Sequence, residues 1–472
     1  MDTYQKVLGY LNSFINYEKK VSFGYKNSFK LERMRFFLEQ LNNPQDQFPV
    51  IHICGTKGKG STCACVAYLL RSLGFRVGLY TSPHLVDVRE RIRILLPRKE
   101  KLRLGKESQR WIDDFEGMIS KKELISLVTQ LRSKIEYYSA NSLYGRLSFF
   151  EVYTAVAFSY FKQKKIDVAV LETGLGGRLD ATNVVWPAVV GITSISYDHM
   201  DKLGNRLSEI AYEKAGIIKE QTGLPVRGSS LIVVSAPQRT SVRRVIHQRC
   251  KEKKATLYEI GKDIMITHRT ERSFSTKTPW GKFKDIPLVL RGEHQIINTC
   301  LGLCLAVAYC CVAKQPFDNS LIASGLSQVR WPCRFEIFPT RPQVIIDGAH
   351  NRASAEALKK TLKKYAYRKK IIFIIGISKD KDVKGILKEL LPIGEIYIMT
   401  KAANTRAIEP QILVDYAKQI YPLSRIYSCS DSRDAYKLAC RNASSNDIIV
   451  VAGSLFLAAE IRKLLWANKD TN

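Results

Sequence analysis

Short apolar runs alternate with amphipathic segments along almost the whole chain. Segments such as 61–74 and 206–220 place apolar residues at helical spacing. Between such segments, uninterrupted apolar runs are typical of strands buried on both faces of a parallel sheet. In the first half of the chain these runs lie at residues 48–55, 76–81, 167–173, 188–195 and 230–236. The pattern therefore predicts repeated strand–helix units and an α/β fold.

A second series of strand–helix units follows a segment near residues 328–340. Its apolar runs lie at residues 343–348, 370–376, 395–400 and 446–453, and its helices are predicted at 353–366, 382–391, 409–420 and 454–466. We therefore expect two α/β domains, residues 1–330 and 331–472. Two basic, polar stretches, 97–116 and 265–285, are expected to be insertions or long loops.

Composition is that of a soluble protein, with 45% hydrophobic and 25% charged residues. The longest apolar run, residues 300–313, is shorter than the roughly 20 residues that a membrane-spanning helix needs. It therefore predicts a buried helix. The N-terminal segment mixes charged and aromatic residues without the continuous apolar core of a secretory signal. We expect a cytoplasmic protein that does not contact a membrane.

The cysteines do not indicate disulfides or a structural metal. The chain has 11 cysteines, but no two of them are spaced as C-x-x-C. Cys300, Cys304, Cys310 and Cys311 lie in the apolar helix, where a free cysteine behaves as a small hydrophobic residue.

The net charge of +30 allows two interpretations. It favours attraction to anionic partners, such as substrates that carry phosphates or carboxylates. It is also typical of solvated basic faces. The lysines are scattered without interleaved aromatic residues or a recognisable nucleic-acid-binding motif, so we do not expect a nucleic-acid partner.

A glycine-rich loop follows the first apolar run, at residues 55–60, and precedes a helix. In that context Gly55, Gly58 and Gly60 would let backbone amides approach phosphate oxygens, Lys59 would reach the β- and γ-phosphates, and Ser61 or Thr62 would ligate magnesium. The spacing differs from the common P-loop pattern, because Gly60 separates Lys59 from Ser61. Taken alone, the loop is either a nucleotide site or an ordinary glycine-rich turn.

Polar side chains follow several of the predicted strands. Ser82, Glu172 and His199 each come shortly after a strand. Loops at the carboxyl ends of parallel strands share one edge of the sheet, so these side chains are expected to converge there. Ser61, Glu172 and His199 then supply ligands suited to a magnesium ion that carries ATP phosphates.

Motifs along nearly the whole chain, from about residue 20 to 462, resemble one family. They are GTKGKGST, SPHLVDVRERIRI, SFFEVYTAVAF, DVAVLETGLGGRLDATN, SYDHMDKLG, EKAGIIK, LRGEHQIINT, IIDGAHN and VVAGSLFLAAEIR. Together they are similar to the folylpolyglutamate synthase/dihydrofolate synthase family of Mur-type ligases. LGGRLDATN and DGAHN are specific to that family, whereas the loop at residues 55–60 is shared with other Mur-type ligases.

The resemblance implies a fold and an activity. The fold would be an N-terminal P-loop ATP-binding domain with a parallel-rich sheet, followed by a C-terminal Rossmann-like α/β domain. The activity would be ATP-dependent addition of L-glutamate to a folate, to dihydropteroate, or to both, through an acyl phosphate. The resemblance also implies magnesium, as two ions, and a monomeric protein.

The resemblance further assigns residues to roles. Nucleotide contacts would be Gly58, Lys59, Gly60, Ser61, Asn298, Arg334 and Asp347. Metal ligands would be Ser61, Ser82, Glu172 and His199. Catalytic groups would be Lys59, His350 and Lys214, the last as a carbamate (N6-carboxylysine). Folate or pteroate contacts would be Phe23, Gly24, Tyr25, Phe149, Phe150, Glu151 and Arg178.

The chain departs from the family pattern at two places that affect these assignments. Cys333 stands where the family has glycine, so the linker turn before Arg334 must accommodate a Cβ atom. Arg352 replaces the proline after DGAHN.

Two alternative functions remain open. One is a Mur-type ligase that acts on a UDP-sugar peptide, and the other is a basic NTPase stimulated by nucleic acid.

Overall fold

The structure is a computed structural model, and it describes residues 1–18, 24–97, 115–220, 230–422 and 425–467. The N-terminal part is built on a seven-stranded sheet of order β3-β2-β4-β1-β5-β6-β7. Its strands are β1 (Val50–Cys54), β2 (Val77–Tyr80), β3 (Ile92–Leu95), β4 (Val168–Glu172), β5 (Val189–Ile192), β6 (Ile232–Ser235) and β7 (Thr256–Glu259). Every pair is parallel except β2 and β3.

Helices cover both faces of this sheet. They are α1 (Tyr4–Asn12), α2 (Tyr25–Ser28), α3 (Leu31–Glu39), α4 (Lys59–Ser72), α5 (Lys121–Asn141), α6 (Phe149–Gln163), α7 (Met200–Leu203), α8 (Leu207–Ala215), α9 (Thr240–Glu252), α10 (Glu293–Val312) and α11 (Asn319–Ser327). Alternate strand residues serve opposite faces, as the pleat requires. Val168 and Val170 pack with α4 and α10, whereas Ala169 and Leu171 pack with α5 and α6.

The predicted buried helix is confirmed. Helix α10 is the one helix of the described part of the chain that is long and apolar enough to cross a membrane, but most of it is buried inside the protein. Cys300, Cys304 and Cys310 on this helix are buried free cysteines, whereas Cys311 is exposed. Its hydrophobicity therefore serves the core against β5 and β6.

The stretch 265–285 was expected to be an insertion or a long loop, and the structure corrects the loop alternative. It forms a three-stranded antiparallel sheet of β8 (Met265–Arg269), β9 (Ser273–Thr278) and β10 (Gly281–Pro287). Phe274, Phe283 and Ile286 are buried in the same core cluster as α10. The polar, basic residues of the outer face hid this alternation. In the other stretch, 97–116, residues 98–114 lie outside the described residues.

The C-terminal part contains a six-stranded sheet of order β11-β12-β16-β13-β14-β15. The strands are β11 (Glu336–Phe338), β12 (Gln343–Ile346), β13 (Ile371–Ile375), β14 (Ile396–Met399), β15 (Arg425–Ser428) and β16 (Ile448–Ala452), and the helices are α12 (Arg352–Tyr365), α13 (Val383–Leu390), α14 (Pro410–Ile420), α15 (Ser432–Asn442) and α16 (Leu455–Ala467). All pairs are parallel except β11 and β12. Short 3₁₀ helices occur at Pro44–Gln47, Val88–Arg91, Ala181–Val184 and Leu391–Ile393. The prediction of an α/β fold with two parallel-rich sheets is confirmed.

Candidate active site

The glycine loop joins β1 to α4, as predicted. Gly58 caps the helix with φ +90°, and a Cβ atom there would collide with Asn298 Oδ1. A Cβ atom on Gly60 would lie 2.7 Å from Trp331 Cζ2. No side chain caps α4, so the N–H groups of its first turn face the loop. The loop therefore has the form of an anion site closed on one side by Asn298 and Trp331.

Lys57 forms an ion pair across this loop. Its Nζ lies 2.8 Å from Asp198 Oδ2, in the segment after β5. Burial lowers the pKa of Lys57, although the Asp198 carboxylate opposes that shift. Lys57 and the neighbouring His199 hold the pKa of Asp198 below its usual range despite burial of the carboxyl. The pair fixes the β5 loop against the phosphate loop.

Glu172 ends β4 beside the loop, in register with Ile53 of β1. Its Oε2 accepts a hydrogen bond of 3.2 Å from the Ser82 N–H. Burial raises the pKa of Glu172, and the positive charge of Lys59 opposes this effect. This buried carboxylate accepts a hydrogen bond from the Ser82 N–H and lies near a lysine, and it is suited to binding a cation.

His199 begins the short helix α7 in the left-handed conformation, with φ +49°. Burial lowers its pKa to about 4. The imidazole is therefore neutral near neutral pH, which is the form that binds metals. His199 Nε2 lies 3.9 Å from Asp198 Oδ1.

The candidate metal ligands near the phosphate loop are one carboxylate, one hydroxyl and one imidazole. In the described part of the chain, no three His, Cys, Asp or Glu side chains gather as a metal cage. Magnesium binds through one or two carboxylates, waters and substrate phosphates rather than an all-protein cage. Glu172, the buried hydroxyl of Ser61 and the neutral imidazole of His199 fit such an ion.

Lys214 lies on α8 beneath the phosphate loop. Its Nζ donates a hydrogen bond of 2.8 Å to the Gly55 carbonyl. Burial, assisted by the like charge of Lys59, lowers its pKa to about 8. A substantial fraction of the amine is therefore neutral near pH 8, which is the form that reacts with CO2.

The linker and the C-terminal sheet supply Arg334 and Asp347. Arg334 Nη1 donates 3.0 Å to the Cys333 carbonyl. Asp347 accepts N–H hydrogen bonds of 2.8 Å from Phe335 and from Ala349. Burial raises the pKa of Asp347, and Arg334 opposes this effect. Asp347 thus shapes the loop that carries Arg334.

His350 follows Asp347 in the same loop. Its Nδ1 lies 2.7 Å from the Gly348 carbonyl, so Nδ1 carries the proton and Nε2 is left as an acceptor. Burial, with the positive charge of Lys57, lowers the His350 pKa to about 3. Lys57 belongs to the N-terminal part, so His350 faces the phosphate loop across the cleft between the two sheets.

The predicted folate contacts are only partly brought together. Phe23 lies outside the described residues, and Gly24 is exposed. Tyr25 donates 3.3 Å to Glu213 Oε2. Arg178 Nη2 donates 2.8 Å to Glu213 Oε1. Arg178 and Tyr25 therefore meet at one carboxylate, next to Lys214 in sequence.

Helix α6 begins with Phe149, Phe150 and Glu151, which lie in different surroundings. Phe149 is buried and stacks on Tyr153, with ring centroids 5.6 Å apart. Phe150 is only partly buried, and a Cβ atom on Gly174 would lie 2.8 Å from its Cζ.

Glu151 already has protein partners at both carboxylate oxygens. It pairs with Arg33 at 2.7 Å, and it accepts from the N–H and hydroxyl of Ser148 in a capping box.

Sequence reasoning missed one charged residue of the cleft. Lys381, after β13, affects the pKa of Lys57, Asp198 and His350. Its position after a strand of the second sheet was the available signal, because residues that follow parallel strands share one edge of the sheet.

Two family models match parts of this chain. Residues 134–306 match the Mur ligase middle domain, and residues 333–455 match the Mur ligase glutamate ligase domain. The dihydrofolate synthase/folylpolyglutamate synthase of Bacillus subtilis is 33% identical over 94% of this chain and 96% of its own length.

Two solved structures share the fold over almost the whole chain. Mycobacterium tuberculosis folylpolyglutamate synthase, complexed with ADP and AMPPCP, has a TM-score of 0.85 at 29% identity and covers 98% of each chain. E. coli FolC, in complex with DHPP and ADP, has a TM-score of 0.81 at 25% identity and covers 99% of each chain. The fold, the phosphate loop and these matches together show that the chain belongs to the folylpolyglutamate synthase/dihydrofolate synthase family of Mur ligases, a family of ATP-dependent ligases.

Proposed function

We propose that this protein uses ATP to join L-glutamate to a carboxylate of dihydropteroate, of a reduced folate, or of both. The observation that carries the proposal is the charged cleft between the loop of His350 and the glycine-rich phosphate loop, which no side chain caps and which Asn298 and Trp331 close on one side. Both sheets contribute to this cleft, so a substrate carboxylate, ATP and an incoming amino acid can meet there. The protein would act as a cytoplasmic monomer.

ATP binds with its phosphates at the start of α4. The N–H groups around Gly58, Gly60 and Ser61 surround the phosphates, and Lys59 neutralises the γ-phosphate. Asn298 completes the nucleotide site from α10, on the same side as the phosphate loop, and Arg334 and Asp347 complete it from the linker and the C-terminal sheet. The collision of a Cβ atom on Gly58 with Asn298 supports this placement.

Ser61, Ser82, Glu172 and His199 hold magnesium, as two ions. When bound, magnesium neutralises the phosphate charge that opposes attack by an anion. Glu172 supplies the negative charge, and its position is set by the Ser82 N–H. His199 supplies a neutral nitrogen, because burial keeps it unprotonated.

Lys214 carries a carbamate in the active protein. Its ammonium first loses a proton, and the neutral amine then attacks CO2. A C–N bond forms while one C=O π bond of CO2 breaks to leave a negative oxygen, and a second proton leaves the nitrogen, so a cation becomes an anion. A cationic Lys214 beside Lys57 and Lys59 would weaken cation binding, whereas a carbamate favours it. The buried Nζ next to the Gly55 carbonyl places that charge under the phosphate loop.

The reaction proceeds in two displacements. A substrate carboxylate oxygen attacks the γ-phosphorus, the bond to ADP breaks, and an acyl phosphate forms. The glutamate amine then attacks the acyl carbon, the C–O bond to phosphate breaks, and the amide forms. His350 Nε2 accepts a hydrogen bond from the attacking amine and orients it, since Nδ1 is committed to the Gly348 carbonyl, and the proton that the amine loses leaves with the released phosphate. The surrounding cleft keeps water from the acyl phosphate.

The flat ring of the substrate lies against the partly buried Phe150, near Gly174 and Tyr25. Gly24 extends this surface, and Phe149 supports it from the core. Arg178 contributes by donating to the Glu213 carboxylate, which also accepts a hydrogen bond from the Tyr25 hydroxyl. A pterin is flat and polar at its edge, which suits an aromatic wall.

Glu151 contributes by fixing the start of α6 through Arg33 and Ser148. Helix α6 carries Phe149 and Phe150, so this carboxylate sets the position of the aromatic wall.

A UDP-sugar peptide ligase is the second candidate, because the Mur ligase domains are shared with such enzymes. The full-length likeness to folate-family proteins favours the folate substrate.

Phosphate release from ATP and magnesium with L-glutamate tests the proposal. The assay is run with dihydropteroate, with tetrahydrofolate, with a UDP-sugar peptide, and with none of them, and Lys59→Met is the control. Turnover with either pteridine and not with Lys59→Met supports the proposal, and the pteridine that works decides between the two substrates. Turnover only with the UDP-sugar peptide, or stimulation only by RNA, would overturn it.

A further inference from the structure

Phe115 and Glu116, named the clasp, connect the two sheets of the molecule. The Phe115 ring is buried between two guanidinium groups. Arg93 from β3 lies 5.8 Å from the ring centroid, and Arg462 from α16 lies 6.0 Å from it. Arg93 belongs to the N-terminal sheet, and Arg462 lies on a helix of the C-terminal part. One aromatic ring therefore contacts both parts of the protein.

The carboxylate of Glu116 reaches the phosphate-loop helix. It accepts two hydrogen bonds from Arg71 Nη1 on α4, at 2.9 and 3.0 Å. Arg71 Nη2 donates 2.6 Å to Gln328 Oε1, just before the linker. Glu116 therefore holds Arg71 of α4, the helix whose first turn carries Lys59 and Ser61, and the same arginine contacts the start of the linker.

On the other side of the clasp, Arg462 reaches the end of the linker. Its Nε donates to both oxygens of Glu336, at 3.0 and 2.9 Å. Glu336 Oε2 also accepts the Cys333 N–H at 2.9 Å. The next residue is Arg334, the proposed nucleotide contact. The contacts of the clasp thus run from α4 to the residue that precedes Arg334.

Hydrogen bonds to β3 hold the clasp against the N-terminal sheet. The Ile94 N–H donates 2.7 Å to the Gly117 carbonyl, and Arg93 Nε donates 2.8 Å to the Glu116 carbonyl. Arg93 is fully buried, and its Nη1 has no hydrogen-bond partner among the described residues. The face of the Phe115 ring is thus an important part of that cation's surroundings.

We propose that Phe115 and Glu116 are positioning residues that set the orientation of the C-terminal sheet relative to the phosphate-loop helix. The proposal rests on the proposed function, because it concerns the substrates that contact both sides of the cleft. ATP lies between Lys59 and Arg334, and glutamate lies near His350. The pteridine contacts only the N-terminal part. Weakening the clasp therefore misplaces Arg334 and His350 but leaves the pteridine surface intact.

The test compares Phe115→Leu and Glu116→Gln with Phe48→Leu. Phe48 is equally buried, but its ring neighbours, Phe158 and Phe161, lie in the same sheet's core. The KM values for ATP, glutamate and pteridine are measured, together with kcat and the melting temperature. Small-angle scattering of the nucleotide-free protein gives the separation of the two parts without any substrate.

Phe115→Leu is expected to raise the KM for ATP and for glutamate about 2- to 30-fold, with the pteridine KM unchanged. Its radius of gyration should exceed that of the wild type. Glu116→Gln should show the same pattern more weakly, and Phe48→Leu should lower only the melting temperature. If both clasp variants behave as Phe48→Leu does, the clasp is merely structural and the proposal fails. Absence of turnover in the wild type would instead overturn the proposed function, and the scattering comparison would still test the clasp.

Discussion

Lys214 decides the sign of the charge beneath the phosphate loop. Its burial next to the Gly55 carbonyl lowers its pKa to about 8, so the amine is available to CO2. We predict that protein kept in CO2-free buffer loses activity and regains it with bicarbonate. Lys214→Met should be about 100-fold less active and should not respond to bicarbonate.

Carbon-13 NMR of protein in labelled bicarbonate checks this directly. A carbamate signal should be present in the wild type and in Lys219→Met, and absent in Lys214→Met. Lys219 is the matched control, because it is another lysine with a pKa lowered by burial, to about 7. Its Nζ already donates to the carbonyls of Asn183 and Val185. A signal that survives in Lys214→Met would refute the carbamate.

Cys333 adopts a backbone conformation that disfavours any side chain. Its φ is +58°, although it is fully buried. A Cβ atom in this region costs about 1–2 kcal/mol. Cys333→Gly should therefore be more stable than Cys333→Ala by about 1 kcal/mol.

Urea unfolding measures that difference. Cys304, in the middle of the regular helix α10, is the control, and there the alanine variant should be the more stable by about 1 kcal/mol. If the alanine variant is more stable than the glycine variant at both sites, the backbone at Cys333 is not strained.

At the residue scale, the sequence predicted positions better than partners. Glu172 and His199 were predicted as ligands because strand ends converge at one edge of a parallel sheet, and the structure places both residues after strands of the first sheet. Nothing in the sequence showed that Arg178 pairs with Glu213 or that Glu151 pairs with Arg33, since these contacts join distant segments. The glycine missing at Cys333 was visible, and the structure shows how the turn accommodates a Cβ atom.

The phosphate loop, between β1 and α4, contacts the linker through Gly60 and Trp331. Gly60 leaves room for Trp331, whose Cζ2 would lie 2.7 Å from an added Cβ atom. Gly60→Ala should therefore displace Trp331 and raise the KM for ATP about tenfold, because phosphate contacts depend on placement within tenths of an ångström.

Nucleotide titration and tryptophan fluorescence report this change. Gly9→Ala is the control, because Gly9 lies in helix α1 with no atom near its added Cβ. That variant should keep the ATP KM and gain about 0.5–1 kcal/mol of stability. An unchanged KM in Gly60→Ala would disconnect Trp331 from the nucleotide site.

At the element scale, buried parallel strands and amphipathic helices were readily predicted, because the strands are uninterrupted apolar runs and the helices have a single hydrophobic period. The antiparallel β8–β10 sheet was missed. Only one of its faces is buried, and the exposed face carries Lys277, Lys282 and Lys284. Its alternation is interrupted by bulges at Phe283/Ile286 and Ile266/His268.

Folding of the whole molecule buries His52 in the central strand β1. Its Nε2 lies 2.8 Å from Thr182 Oγ1, and burial lowers its pKa to about 3. In the unfolded chain the pKa returns to about 6.5. Between these values the unfolded chain binds a proton that the native protein does not. The free energy of unfolding therefore falls as the pH drops below about 6.5.

His52 alone should account for about 2 kcal/mol of that loss at pH 5. Urea unfolding at pH 7.5 and pH 5 measures it, with His52→Gln as the comparison, because glutamine does not titrate. The loss should be smaller in the variant by about this amount. Equal losses in the two proteins would show that His52 does not carry the effect.

At the scale of the molecule, the sequence predicted two α/β units but not how they face each other. That arrangement depends on contacts such as Phe115 with Arg462 and Gly60 with Trp331, which join residues far apart in the chain. The charged cleft exists only because the two units face each other in this way.

Oxygen-18 transfer tests the central claim, that ATP activates a substrate carboxylate in this cleft. Dihydropteroate or tetrahydrofolate labelled in its reacting carboxylate is incubated with ATP, magnesium and L-glutamate, and the released phosphate is analysed by mass spectrometry. The acyl phosphate route predicts one labelled oxygen in each phosphate released. Unlabelled phosphate, released while amide accumulates, would contradict it.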